Sequence, residues 1–289
     1  MTFNRIAIYG SRRQESFKDK LSAFFEFMEE AGFRLYIHSG FYDYLESEGI
    51  APAGGVPSVY IPPDVSLVIS IGGDGTFLRA ARWVGEKEIP IMGVNTGHLG
   101  YLSACGLEEA PTVLTEICRG EVTIEPRMLL KVECPDLPKD IWPYALNEVT
   151  VRRNEDSSVI TVGARVNGDM LADYVADGLI LSTPTGSTAY NLSAGGPIIA
   201  PTINCMAITP IAPHALTLRP LVVGGNAVVS LNVSSRSSLF RLSLDDRSFN
   251  MKVGRELTVS RAGFSVMLIR RPDVNFATLL RDKLLWNAR

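Results

Sequence analysis

Six residues, Ile71-Gly72-Gly73-Asp74-Gly75-Thr76, combine a permissive backbone with a carboxylate. Glycines let main-chain N–H groups approach phosphate oxygens, and a helix opening at this point adds free N–H groups and the favourable end of its dipole. A dinucleotide fingerprint would need a small residue where Leu78 stands, and a Walker loop would need a lysine that this stretch lacks. Asp74 would repel a pyrophosphate unless a cation lay between them or the carboxylate took a proton from an attacking hydroxyl. Both tasks belong to phosphoryl transfer. The plainer alternative is a tight turn capped by Asp.

A second group of residues lies about a hundred positions on. Ser182-Thr183-Pro184-Thr185-Gly186-Ser187-Thr188-Ala189-Tyr190-Asn191-Leu192-Ser193-Ala194-Gly195-Gly196-Pro197 offers small hydroxyls, glycines and one aromatic ring, which suit a base edge and a base face. An ordinary polar loop between strands has the same composition. The stretch contains no G-x-S-x-G, so a serine-hydrolase elbow is excluded. Asn147-Glu148 falls where a strand is predicted, and adjacent strand residues face opposite ways, so at least one polar group is wasted on a core unless a site opens or the strand bends. Asp177-Gly178 precedes another predicted strand, and Asn95-Thr96-Gly97-His98-Leu99-Gly100-Tyr101-Leu102 follows one.

The elements that must carry these residues fall into two textures. In the first 120 residues, strands and helices alternate: strand 5–10, helix 15–31, strand 34–38, helix 41–48, strand 67–71, helix 76–84, strand 89–94 and helix 108–119. That alternation predicts a doubly wound, mostly parallel α/β sheet, with ligands outside the carboxyl ends of the strands and the 95–102 loop beside Asp74. From Val122 short alternating segments separated by turns predict an all-β domain, a two-sheet sandwich. Residues 275–286 return to helical spacing, and so short a helix needs a sheet face to cover, which predicts that the tail rejoins the first domain. The expected domains are 1–121 with 271–289, and 122–270.

At 289 residues the chain is long enough for two cores, and its formal net charge of −3 gives no general attraction to nucleic acid or anionic membrane. It has no run of eighteen apolar residues and no signal-like start, so the expected location is the cytoplasm. Cys105, Cys118, Cys134 and Cys205 are scattered, as are His38, His98 and His214, and neither set has metal-ligand or redox spacing.

Taken together, Gly72-Gly73-Asp74-Gly75-Thr76, Asn95-x-Gly97-x-Leu99-Gly100-Tyr101-Leu102, Asn147-Glu148, Asp177-Gly178 and the run from Ser182 to Tyr190 resemble the NAD kinases. Pro213-His214, Arg219-Pro220 and the tail Leu280-Arg281-x-Lys283-Leu284-x-Trp286 extend the resemblance over nearly the whole chain. It implies phosphorylation of the 2′-hydroxyl of the adenosine ribose of NAD by ATP with a divalent cation, Mg²⁺, on an N-terminal α/β domain and a C-terminal β-sandwich.

Carried over by position, Asp74 is the catalytic base and, with Gly75, contacts NAD. Asn147 and Glu148 meet ribose hydroxyls, Asp177 lies at the nicotinamide end, and Thr188, Ala189, Tyr190 and Ser193 line the dinucleotide. Tyr101 packs by the adenine where relatives have Phe. Gly72, Gly73, Gly75 and Thr76 are assigned to the ATP phosphates, Arg79, His98 and His214 are further candidates, and the metal ligands stay open. Many bacterial relatives carry Arg two residues before the equivalent of Asp177, where this chain has Val175. The resemblance also implies a homo-oligomer, a dimer or tetramer. A lipid kinase sharing the glycine loop and a non-catalytic dinucleotide sensor are the alternatives.

Overall fold

The computed structural model describes residues 3–12, 15–97, 100–154, 159–272 and 274–284. The chain divides into two compact units, one formed by Met1–Pro126 with Val266–Arg289 and the other by Arg127–Ser265.

The first unit is built on a parallel sheet. Strands run in the order Val56–Ser58, Arg34–His38, Arg5–Gly10, Leu67–Ile71, Ile91–Asn95, and the last residues of strand Glu256–Arg270 pair with Ile91–Asn95 through Leu268 and Ile91. Every residue of Leu67–Ile71 and Ile91–Asn95 is buried, as central parallel strands require. Helix Lys18–Glu30 buries Leu21, Phe24, Phe25 and Met28, and helix Ala110–Arg119 buries Val113, Leu114 and Ile117 before Gly120 ends it in the left-handed region at φ 74°. Strand order reverses between Arg5–Gly10 and Leu67–Ile71, and in sheets of this kind such a reversal opens a ligand crevice at the carboxyl ends. The glycine turn after Ile71 lies at that point. In the tail, helix Phe276–Lys283 is capped by Asn275, whose Oδ1 accepts the Thr278 N–H at 2.9 Å, and it buries Leu279 and Leu280.

The second unit is a two-sheet sandwich. One sheet is antiparallel, in the order Leu221–Gly224, Cys205–Ile211, Gly178–Ser182, Glu148–Arg152, Leu239–Leu244, Arg247–Lys252. The other places Asp169–Ala176, Ile160–Val166, Val229–Ser234 and the first half of Glu256–Arg270 side by side, also antiparallel. Alternate residues of both sheets, among them Val149, Val151, Leu179, Leu181, Val162, Leu231 and Leu257, fill a common core.

Element boundaries differ from the expected ones where a local rule was overridden. The helix after the glycine turn begins at Asp74 rather than Thr76, because Gly73 caps it in extended geometry. Strands that the pattern did not predict are present, among them Val56–Ser58 in the first unit and Asp169–Ala176, Leu221–Gly224 and Arg247–Lys252 in the second. All four cysteines are free thiols, Cys105 and Cys205 buried, Cys134 half-buried and Cys118 exposed.

Candidate active site

Gly72 leaves the strand at φ 147°, and a Cβ there would overlap the Thr76 side chain, so both backbone conformation and space demand glycine. Gly73 caps helix Asp74–Val84 and accepts the N–H groups of Thr76 at 2.8 Å and Phe77 at 3.2 Å. Asp74 therefore stands in the first helical turn, where the dipole favours a negative charge. Its carboxylate is held from the following loop: Oδ2 accepts the Tyr101 N–H at 3.0 Å and Oδ1 the Leu102 N–H at 3.2 Å. A Cβ on Gly100 would overlap Asp74 Oδ1, so this approach depends on that glycine. Thr76 is buried, and Arg79 Nη2 donates to its Oγ1 at 3.3 Å. Gly73 and Gly75 are exposed, which leaves their backbone open to an anion.

In the second unit, Asn147 and Glu148 are set by a residue distant in sequence. Asp245 occupies the left-handed region at φ 53° in the turn between strands Leu239–Leu244 and Arg247–Lys252. Its Oδ1 accepts the N–H groups of Asn147 at 2.8 Å and Glu148 at 3.2 Å, and its Oδ2 that of Leu146 at 2.9 Å. Burial raises the Asp245 pKa, against these three donors and the Arg247 guanidinium. Glu148 is buried and lifted to about 8 by desolvation and the Asp245 charge, with the Tyr190 N–H opposing. Strand Glu148–Arg152 begins only after Asn147, so the expected clash of two polar neighbours on one strand does not arise.

The stretch from Ser182 to Pro197 divides into residues that build the loop and residues that can meet a ligand. Thr183 Oγ1 donates to Leu146 O at 2.6 Å and Ser187 Oγ to Pro184 O at 2.7 Å, and both side chains are fully buried. Asn191, also fully buried, donates to Ser187 O and Pro197 O and accepts from Thr209 Oγ1 at 2.7 Å. These hydroxyls and this amide are used up inside the protein. Thr188, Ala189 and Tyr190 are half-buried and Ser193 is exposed, so the candidates lie on the accessible side.

Beside Tyr190 a cavity of about 280 Å³ is walled by Arg152, Arg153, Asp177, Tyr190 and Ile211. Arg153 Nε donates to Asp177 Oδ1 at 2.7 Å, while the Arg152 guanidinium lies 5.8 Å from the Tyr190 ring centre and donates to its hydroxyl at 3.3 Å. Two arginines thus reach the surroundings of Asp177 although Val175 carries no charge.

Asn95 Nδ2, the Tyr101 hydroxyl and Glu148 Oε2 are buried without a hydrogen-bond partner among the described residues. Such atoms are rare in native proteins, and here all three belong to the motifs singled out from the sequence. Burial and the Asp74 charge also raise the Tyr101 pKa. His214 is exposed, with its backbone N–H on Val175 O at 2.9 Å. His98 lies outside the described residues. Sequence reasoning missed Asp245, Arg152, Arg153 and the buried Arg270, whose Nη2 donates to Tyr101 O at 3.0 Å.

Residues 60–122 match the ATP-NAD kinase N-terminal domain and residues 146–271 the ATP-NAD kinase C-terminal domain. A NAD kinase of Bacteroides fragilis is 40% identical over 286 residues and one of Porphyromonas gingivalis 42% over 285, each alignment covering 98% of this chain and 98% of the relative. Among solved structures, yeast NADH kinase complexed with NADH superposes with a TM-score of 0.87 at 22% identity, covering 100% of this chain and 89% of that one. A NAD kinase from Archaeoglobus fulgidus in complex with ATP superposes at 0.70 with 24% identity, covering 93% and 94%. At those identities the two structures establish the fold, whereas the bacterial relatives go further. The comparisons lend no support to a lipid kinase or a non-catalytic sensor. The chain belongs to the NAD kinase family.

Proposed function

We propose that the protein transfers the γ-phosphoryl group of ATP to the 2′-hydroxyl of the adenosine ribose of NAD, giving NADP and ADP, with Asp74 as general base. The observation that carries this reading is the Asp74 carboxylate, held by two backbone N–H groups in the first turn of a helix that opens on two glycines. In the step, Asp74 accepts the hydroxyl proton as the ribose oxygen bonds to phosphorus and the bond from phosphorus to the β,γ-bridging oxygen breaks, leaving ADP. Of the residues expected at the donor phosphates, Gly72 is buried and spends its N–H on Val94 O at 2.9 Å, so the exposed Gly73 and Gly75, with Thr76, are assigned to them, and Arg79 on the same helix is the nearby cation. Asn147, Glu148, Asp177, Thr188, Ala189, Tyr190 and Ser193 are assigned to NAD, with Tyr101 at the adenine. The chemistry of these groups supports that assignment: carboxyl groups and an amide for hydroxyls, an aromatic face, and the unsatisfied Glu148 Oε2.

Among the described residues no group of three His, Cys, Asp or Glu is arranged to hold an ion. The one carboxylate at the glycine turn is Asp74, taken up by the proton, so Mg²⁺ would be held chiefly by the ATP phosphates and water. Such an ion would neutralise charge on the transferring group. The reaction and the four free thiols fit the cytoplasm. Among the described residues no helix is long and apolar enough to cross a membrane. A homo-oligomer is also proposed, on the ground that Leu216, Leu221 and Val222 of the second unit are exposed.

Asp74→Asn tests the base. The amide has the carboxylate's size but cannot take the proton, and its NH₂ faces one of the two backbone donors. The expected loss is about 10²- to 10⁴-fold in kcat, accompanied by about 1–3 kcal/mol of stability from the donor left without an acceptor. NADP formation and urea unfolding on the same variant measure both, and a folded Asp74→Asn protein with near-native kcat removes the assignment.

A further inference from the structure

We infer that Arg270 is a positioning residue of the phosphoryl-transfer centre, acting through the peptide unit that holds Asp74; this rests on the assignment of Asp74 as base. Arg270 closes strand Glu256–Arg270 and is only 5% exposed. A guanidinium buried to that extent is strongly disfavoured unless its donors and its charge are answered. Its Nη2 donates to Tyr101 O at 3.0 Å, its Nη1 to Ser103 O at 3.4 Å, and its Nε lies 3.7 Å from Glu125 Oε2. Burial lowers the Arg270 pKa, while Glu125 and Asp74 both favour its charged form.

The carbonyl of Tyr101 and the N–H of Leu102 belong to one peptide unit. Arg270 donates to the first and Asp74 accepts from the second at 3.2 Å, so a continuous chain runs from guanidinium through peptide to carboxylate. Polarising the carbonyl strengthens the N–H as a donor, and each link fixes the orientation of the next. The same loop is gripped from its other side, since the Ala104 N–H donates to Gly93 O at 2.8 Å. Arg270 thus does for the 101–103 backbone what a second layer of contacts does for a metal ligand: it sets the direction from which the working group is held. A lysine has the charge but not the planar fork that spans two carbonyls. The neighbouring Arg271 faces the other way, toward Glu109 at 3.3 Å and Glu116 at 3.5 Å, and serves as the control.

The experiment is amide hydrogen exchange at Tyr101 and Leu102, which needs no turnover, together with kcat and KM for NAD and ATP, on Arg270→Met, Arg270→Lys and Arg271→Met. Arg270→Met is expected to speed exchange at these two amides by roughly tenfold or more and to lower kcat by about 10- to 100-fold, with both KM values within about threefold of wild type. Arg270→Lys should recover part of each loss, and Arg271→Met should leave exchange at 101–102 unchanged. If the Met variant does not fold, the Lys variant carries the test. Wild-type exchange at both amides in a folded Arg270 variant overturns the inference, as does faster exchange with unchanged kcat. The expected exchange pattern in a protein whose wild-type form makes no NADP supports the tether and overturns the reading of the reaction it serves.

Discussion

At the scale of single residues, Glu148 and Asp245 divide one task unevenly. Asp245 takes three backbone N–H groups, whereas Glu148 has the Tyr190 N–H and an unpartnered Oε2. With its pKa raised from 4.5 to about 8, Glu148 keeps its proton at neutral pH and has a donor to offer a hydroxyl. The unfolded chain gives up that proton near 4.5, so the stabilising contribution is complete below that pH and is lost as pH rises through about 8. Glu148→Gln is therefore expected to flatten the fall in unfolding free energy between about pH 5 and 8, measured by urea unfolding at several pH values; parallel curves for variant and wild type would refute it. Glu148 was visible in the sequence as a polar group that a core could not absorb. Asp245 was not, because Asp245-Asp246 between two short strands reads as a hairpin turn and its partner Leu146 is 99 residues away.

At the scale of elements, the glycine turn was legible because strand periodicity, glycine and helix periodicity are all local signals. What closes on it was less so: Gly100 reads as a loop glycine, yet only its missing side chain lets the loop reach Asp74. Gly100→Ala should push the carboxylate off its two N–H donors and reduce kcat by about 10²-fold, more than a loss of stability explains, as steady-state rates corrected for folded fraction will show. Unchanged turnover would mean that the loop shifts without moving Asp74. Three of the missed strands share a cause. Asp169–Ala176, Leu221–Gly224 and Arg247–Lys252 are all sheet edges, which pack on one side and carry exposed residues, so their apolar signal is weak. The hydroxyl-rich stretch misled for the opposite reason. Its Ser and Thr side chains looked available and are mostly bonded to backbone, forming a 3₁₀ turn at Gly186–Thr188 and a short helix at Tyr190–Ser193.

At the scale of the whole molecule, the change from α/β to all-β texture was readable from the hydrophobic period alone, since helix and strand repeats differ by nearly a factor of two. Assembly is not written in that period, but surface chemistry bears on it. Leu221 and Val222 are exposed on the edge strand Leu221–Gly224, and Leu216 stands 86% exposed nearby in the chain. Light scattering on the purified protein is expected to give a mass of two or four chains, and Val222→Lys to lower it without changing the circular dichroism. A wild-type monomer at micromolar concentration would dispose of the oligomer.

The first unit is assembled from two separated stretches of chain, with the whole of the second unit encoded between them. On a ribosome this fixes an order of events. The glycine turn and Asp74 emerge early, and Leu268, which pairs with Ile91, and Arg270, which holds the Asp74 loop, follow only after residues 127–265 have been made. At ordinary elongation rates that delay is on the order of ten seconds. Throughout it Asp74 can find its two N–H donors, Tyr101 and Leu102, in the same early stretch, but the peptide unit joining them lacks the guanidinium that orients it, so the glycine turn gains its full set of contacts only when the last strand of the first unit's sheet is in place.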